Sequence, residues 1–326
     1  MHVLITGGAG FIGSHLVEHH LRCGDSVHAV DNLTTGRVEN IASFLGDHRF
    51  RFDEADILTW GDLEKATIWA DRIYHMAAVV GVFKVLEDPI RVLSINIAAT
   101  ERLLRMATTG QWKPQIVIAS SSEIYGPTSS DLLREDDILY VRSGARSRWN
   151  YAISKLADEA FGLSYARQHD IPVCMARLFN TVGLRQTGRY GMVVPRFIDQ
   201  ALRDEPITIF GGGAQTRSFC DVRDTVAALA LLASTPQASG EIVNVGNDRE
   251  ISINDLADLV CQRAGKNSVG RKHMSYAEAY GQQYDDILRR RPSLEKLRAL
   301  TGFRHRWSLE DSLDEMIAHY RERQDK

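Results

Sequence analysis

An apolar run, His2 to Thr6, passes without a spacer into Gly7-Gly8-Ala9-Gly10-Phe11-Ile12-Gly13, and a helix-forming stretch continues from Ser14 to Arg22. Strand, glycine loop and helix in that order make the first turn of a dinucleotide-binding βαβ unit, and Gly8-x-Gly10-x-x-Gly13 has the required spacing. The glycines let the backbone turn tightly and approach a pyrophosphate. Its charge then meets the free N–H groups and the positive dipole end of the helix. The second apolar run, Ser26 to Val30, ends in Asp31, where a carboxylate would bind the adenosine ribose hydroxyls. Because that carboxylate repels a 2'-phosphate, NAD is expected rather than NADP. The bland alternative for Asp31 is a turn residue ahead of Asn32.

Apolar runs at 2–6, 26–30, 50–53, 72–75, 115–120 and 172–177 alternate with amphipathic segments. This is the pattern of an α/β chain, a Rossmann doubly wound parallel sheet with helices on both faces. Ligands of such sheets bind beyond the carboxyl ends of the strands. Asp31, Asp56, His75 to Ala78, Ser120 to Ser122 and Arg177 to Asn180 are therefore expected to converge on one crevice. Beyond residue 180 the pattern loosens into loops rich in Gly and Arg, yet Glu241 to Val245 reads as one more sheet strand. The expected organisation is a nucleotide domain over 1–180, with a returning segment near 222–248. A smaller, sequence-interleaved lobe would be formed by 181–221 and 249–326.

Composition excludes several classes of partner. With 326 residues, 44% hydrophobic and 25% charged, the chain can bury a full core. A formal net charge of -3 gives no general attraction to nucleic acid or acidic membranes. No apolar run reaches the ~18 residues of a spanning helix, and a strand starting at residue 2 leaves no space for a leader, so a cytoplasmic protein is expected. Cys23, Cys174, Cys220 and Cys261 are far apart and lack ligand spacing, which points to reduced core thiols and no metal. The histidines are scattered and read as structural or solvated.

Tyr151 and Lys155 lie one helical turn apart in the stretch Asn150 to Lys155 and share a face. A phenol with an ordinary pKa of ~10 is a poor base at neutral pH, and a neighbouring ammonium favours its phenolate. Alone the pair is weak, since surface decoration produces the same spacing. Behind a nucleotide loop it becomes a candidate proton-abstracting device.

The ordered motifs Thr6 to Gly13 (TGGAGFIG), His75 to Ala78 (HMAA), Ser120 to Gly126 (SSSEIYG), Tyr151 to Lys155 (YAISK) and Arg177 to Asn180 (RLFN) resemble those of the extended short-chain dehydrogenase/reductase family. These are the NAD-dependent nucleotide-sugar epimerases, dehydratases and decarboxylases. The resemblance implies NAD held by Gly7, Gly8, Gly10, Phe11, Ile12, Gly13, Asp31, Asn32, Asp56, Ile57, Ala77, Ala78, Asn96, Tyr151 and Lys155. Asp56 and Ile57 would lie against adenine, and Asn96 would anchor a helix below the nicotinamide site. It implies Tyr151 as base, Lys155 on the nicotinamide ribose, and Ser121, with Ser122 beside it, on the sugar hydroxyl being oxidised. A nucleoside diphosphate sugar, UDP-linked on this reading, would meet Asn180, Arg185, Val193, Arg217 and Tyr284. Leu184 replaces a proline common among relatives, so the loop carrying Arg185 departs from their pattern. A homodimer is implied through the helix over 91–108 and the stripe Ile153, Leu156, Ala157, Ala160, Phe161 and Ser164.

Oxidation at C4 would give a 4-keto sugar, after which a C6 carboxylate can leave as carbon dioxide, water can be expelled, or the ketone can be reduced on its other face. Glu123 favours the first branch, since galactose-type 4-epimerases usually have an uncharged residue there. Its alternative is a turn cap or a pairing with an arginine. Tyr280 to Pro292 resembles a segment of UDP-glucuronate decarboxylases and of UDP-apiose/UDP-xylose synthases. Arg217 matches an arginine placed near the substrate in such decarboxylases and on the diphosphate in epimerases; its alternative is an ion pair with Asp221 or Asp224. A UDP-glucuronate decarboxylase forming UDP-xylose or a UDP-4-keto-pentose is the leading expectation. A UDP-glucose or UDP-glucuronate 4-epimerase comes second and a 4,6-dehydratase third. Least expected is a non-catalytic NAD-binding regulator, which the intact Ser121, Tyr151 and Lys155 set argues against.

Overall fold

The computed structural model describes residues 1–128, 130–141, 149–188, 191–280 and 287–324. The chain runs through β1 (His2–Thr6), α1 (Phe11–Arg22), β2 (Ser26–Asp31), β3 (Phe50–Glu54), α2 (Leu63–Trp69), β4 (Arg72–His75), α3 (Val82–Glu87) and α4 (Pro89–Ala107). β5 (Gln115–Ser121), α5 (Trp149–His169), β6 (Val173–Leu178), β7 (Thr181–Val182), α6 (Val193–Leu202), β8 (Ile207–Phe210), β9 (Thr216–Ser218) and β10 (Cys220–Asp221) follow. The remainder is α7 (Val222–Leu232), β11 (Ile242–Val245), β12 (Glu250–Ser252), α8 (Ile253–Ala264), β13 (Arg271–Met274), α9 (Tyr276–Tyr280), α10 (Glu295–Thr301) and α11 (Leu309–Gln324).

Seven parallel strands form the central sheet in the order β11-β6-β5-β4-β1-β2-β3. The order reverses between β1 and β4, where Thr6 lies level with His75, and a crevice opens at that reversal. Alternation along β1 shows how both faces are covered. Val3 and Ile5 pack with Leu16, Val17 and Leu229 on one side, and Leu4 packs with Ile73, Leu103 and Met175 on the other. A further apolar cluster joins α6, β8, α8 and α11 through Phe197, Ile207, Leu256 and Leu313. Pro172, which cannot donate to the ladder, stands outside β6, so that strand starts one residue later than the apolar run suggested. Cys174, Cys220 and Cys261 are buried, but Cys23 is exposed. It directly follows the end of α1, and the reading of all four as core thiols is corrected there.

Three imidazoles, two buried and one (His15) half-buried, are held neutral. His75 bridges Thr6 (2.7 Å) and Thr100 (3.2 Å), and burial followed by the Lys155 charge lowers its pKa to about 3. His20 sits between Asp25 (2.7 Å) and Tyr74 (3.0 Å); burial lowers it to about 4 against the pull of Asp25. Burial and then Arg185 bring His15 to about 4. An unfolded histidine titrates near ~6.5, so between that pH and 4 the unfolded chain holds more protons, and stability falls as pH drops through this window. The urea midpoint is expected to be lower at pH 5 than at pH 7. An unchanged midpoint would contradict the burial of neutral imidazoles.

Candidate active site

The nucleotide end of the crevice is made by residues that leave space. Gly7 has φ +68°, a Cβ on Gly8 would lie 2.5 Å from the Ala29 Cβ, and one on Gly13 would lie 2.0 Å from the Gly7 carbonyl oxygen. Gly10 caps α1 without a side-chain bond, so that helix presents its first N–H groups to the crevice. Asp31 accepts from the backbone N–H of Ala9 (3.1 Å) and Leu33 (2.8 Å), and burial raises its carboxyl pKa. The Asn32 side chain donates to Asp56 (3.1 Å), and Ile57 is buried beside them. Open helix donors, a glycine cradle and the Asp31 carboxylate at the end of β2 fit a dinucleotide without a 2'-phosphate.

A cavity of about 510 Å³ runs from this cradle to residues of α6, β8 and β9. Gly7, Gly10, Phe11, Ile12, Gly13, Asp31, Asn32, Asp56, Ile57, Ala77 and Ala78 line one part of it; Ser121, Ser122, Glu123, Tyr151, Lys155, Asn180, Val193 and Arg217 line the rest. Gly8 and Asn96 stand behind the wall. Asn96 accepts from the Val79 N–H (2.8 Å) and donates to Ser154 (3.1 Å), tying the loop after β4 to α5. Tyr284 lies outside the described residues.

The proton-handling groups meet where β5 ends beside α5. Ser121 closes β5, its hydroxyl accepting the Glu123 N–H (3.2 Å) to start the turn Ser122–Tyr125. Ser121 stands close enough to Tyr151 to favour its phenolate. Burial raises the Tyr151 phenol above its ordinary value; Lys155 and Ser121 work in the opposite direction, and Glu123 adds to the rise. The expectation that Lys155 brings the phenol down holds for the sign of that one interaction and fails for the sum, because desolvation is larger.

Glu123 pairs with Arg290 at 2.8 Å, and the Arg290 side chain, only 8% exposed, also reaches Ser122 (3.5 Å) and lines the cavity. The sequence reading named the segment around Arg290 but not the residue; the available signal was the basic run Arg289-Arg290-Arg291 ahead of Pro292. Arg217 donates to the carbonyls of Thr216 (2.7 Å) and Ile287 (2.8 Å). The acids weighed as its partners are engaged elsewhere, Asp221 with Arg223 and Ser312, and Asp224 with the backbone N–H groups of Arg306 and Trp307. Arg185 departs from the expected place. At φ +66° its guanidinium turns to Glu18 on α1 (2.5 Å) and does not line the cavity.

A buried network fixes these groups from behind. Arg177 forks onto Glu159 (2.9 and 3.0 Å), Ser120 donates to the same carboxylate (2.6 Å), and Arg177 continues to the Tyr125 hydroxyl (2.9 Å). Tyr125 donates to Asn244 (2.7 Å), which donates to the carbonyls of Leu133 and Ser293. Leu133 in turn pairs with the Arg291 carbonyl and the Ser293 N–H, on either side of Pro292.

Fold and site together define a nucleotide-dependent enzyme, and the family model for the NAD dependent epimerase/dehydratase family matches residues 3–246. The chain belongs to that family. It is 35% identical to UDP-N-acetyl-alpha-D-glucosaminuronate decarboxylase of Bacillus cytotoxicus, over 98% of this chain and 97% of that one. It is 34% identical to UDP-glucuronic acid decarboxylase 1 of Danio rerio, over 98% of this chain and 72% of that one. UDP-glucuronic acid 4-epimerase from Bacillus cereus, solved with UDP-glucuronic acid and NAD, superposes with a TM-score of 0.88 at 29% identity, covering 99% of both chains.

Replacing Gly13 by Ala forces its Cβ against the Gly7 carbonyl, an overpacking that costs about 1–3 kcal/mol. If dinucleotide binding absorbs this cost, NAD affinity measured by equilibrium dialysis falls roughly tenfold or more. Unaltered affinity in a folded variant would contradict the cradle.

Proposed function

We propose that the chain is an NAD-dependent decarboxylase of UDP-linked hexuronic acids, with UDP-glucuronate as the first substrate to test. One observation carries the reading: a guanidinium and a carboxylate, Arg290 and Glu123, pair at 2.8 Å in the cavity that also holds Tyr151 and Ser121. Bound NAD would supply hydride acceptance at C4 and its later return. Tyr151 takes the C4 hydroxyl proton and Ser121 orients that hydroxyl. Lys155 would hold the nicotinamide ribose of bound NAD, and its charge lowers the energy of the phenolate. Once C4 is a ketone, the C6 carboxylate is β to it and leaves as carbon dioxide, its bonding electrons passing into the C4–C5 enolate, which is then protonated at C5. Arg290 offers bidentate binding to the departing carboxylate in exchange for Glu123, whose charge close to C6 favours loss of that group. Arg217 and Asn180 face the diphosphate and sugar.

On this reading residues 1–180 with the segment near 222–248 hold NAD, and 181–221 with 249–326 hold the nucleotide sugar. The separate apolar cluster of α6, β8, α8 and α11 supports the division. We place the protein in the cytoplasm as a homodimer; no helix among the described residues is long and apolar enough to cross a membrane. The face of α5 that carries half-buried Leu156 and Ala157 and exposed Ala160 supports the pairing, since the opposite face is committed to the interior. A 4-epimerase is the second reading, favoured by the full-length likeness to the Bacillus cereus enzyme.

An NMR time course with UDP-glucuronate separates the readings. A UDP-pentose with release of carbon dioxide supports decarboxylation, UDP-galacturonate without carbon loss would replace it by epimerisation, and no reaction would move the test to the 2-acetamido hexuronate. For Glu123→Gln, carbon loss is expected to slow more than oxidation, so that NADH absorbance accumulates with substrate bound. Unchanged product formation would remove the role given to Glu123.

A further inference from the structure

Lys155 bears a charge on which the proposed chemistry depends, in a place hostile to charge. Its side chain is 2% exposed, and its ammonium donates at 2.9 Å to Asp158, one turn further along α5 and fully buried. A lysine desolvated in this way and left alone sheds its proton and becomes a neutral amine. The neighbouring carboxylates are not equivalent. Glu159 is forked by Arg177 and bonded by Ser120, and Glu123 is paired with Arg290. Asp158 alone among the three is matched to Lys155, and its second oxygen, also buried, has no hydrogen-bond partner among the described residues. From the β4 side the lysine faces His75, which burial keeps uncharged and which therefore adds no competing cation.

We infer that Asp158 is a positioning residue that keeps Lys155 protonated and seated in the cavity wall, and so makes Tyr151 a usable base. The inference rests on the roles given to Tyr151 and Lys155 under the proposed function. Burial pulls the Lys155 pKa down, yet it stands above the ordinary lysine value, with Asp158 the largest opposing influence. On Tyr151 the lowering by Lys155 outranks the direct raising by Asp158. Removing Asp158 thus has two opposed effects on the phenol: a small direct relief, and loss of the ammonium if the lysine neutralises. The second is the larger.

The test compares the protein with Asp158→Asn and Asp158→Glu. Tyr151 ionisation is read without NAD or substrate, as the ultraviolet phenolate difference between each protein and its Tyr151→Phe counterpart. In Asp158→Asn the ionisation is expected to move to higher pH, and turnover at neutral pH to fall roughly tenfold to hundredfold. Activity should recover as pH rises, and Asp158→Glu should restore part of it. An ionisation that stays in place or moves to lower pH overturns the proposal, as does an activity loss equal at every pH, which is what a purely structural role predicts. Should Asp158→Asn not fold, the unsubstituted protein still decides. Its Lys155 Cε resonance, identified by its loss in Lys155→Arg, should remain that of an ammonium up to about pH 9, and deprotonation at any lower pH overturns the inference. Because the phenol and lysine titrations need no substrate, they stand or fall separately from the choice of sugar.

Discussion

The ion pair between Glu159 and Arg177 is the constraint on which the site hangs. It joins the middle of α5 to β6, takes in Ser120 at the end of β5, and passes through Tyr125 and Asn244 to the backbone on either side of Pro292. Every group with proposed chemistry is attached to one of those elements: Tyr151 and Lys155 to α5, Ser121 and Glu123 to the end of β5, and Arg290 to the strap that Asn244 holds. Burying two charges is costly, and the cost is offset only where the remaining donors and acceptors are satisfied. Here the guanidinium is spent on a carboxylate, a hydroxyl and the Glu135 carbonyl. An apolar replacement could fill the same volume, but it would not dictate which turn of α5 faces which strand end.

What the sequence made legible is what depends on short-range geometry. Gly8, Gly10 and Gly13 announce themselves because one turn must fit between β1 and α1. Tyr151 and Lys155 do so because one helical turn separates them. The sheet followed from apolar runs whose ends erred by a residue where local chemistry intervened, as at Pro172. Arg290 was illegible for the converse reason: its partner Glu123 sits in a different half of the chain, and tertiary contacts such as the Leu133 to Pro292 bridge bring the two together. Arg185 was misplaced because its direction is set by a left-handed backbone and by Glu18, neither of which a loop composition reveals.

The electrostatics of the site explain why a base and an acid-binding pair can coexist there without cancelling. Glu123 raises the phenol of Tyr151, so a free carboxylate at that position would make the phenolate harder to form. Its pairing with Arg290 damps that effect before substrate arrives. When a substrate carboxylate takes Arg290, Glu123 regains its full charge at the moment that a nearby carboxylate is to be lost. The same residue would then act on opposite sides of the reaction, muted during oxidation and active during carbon loss. That sequence requires Arg290 to change partners while its backbone stays fixed, and the network ending at Asn244 and Ser293 holds the neighbouring backbone. It also accounts for a base that rests protonated: burial keeps the Tyr151 phenol above its ordinary pKa, and only added positive charge beside it, opposed by no free carboxylate, brings the phenolate within reach.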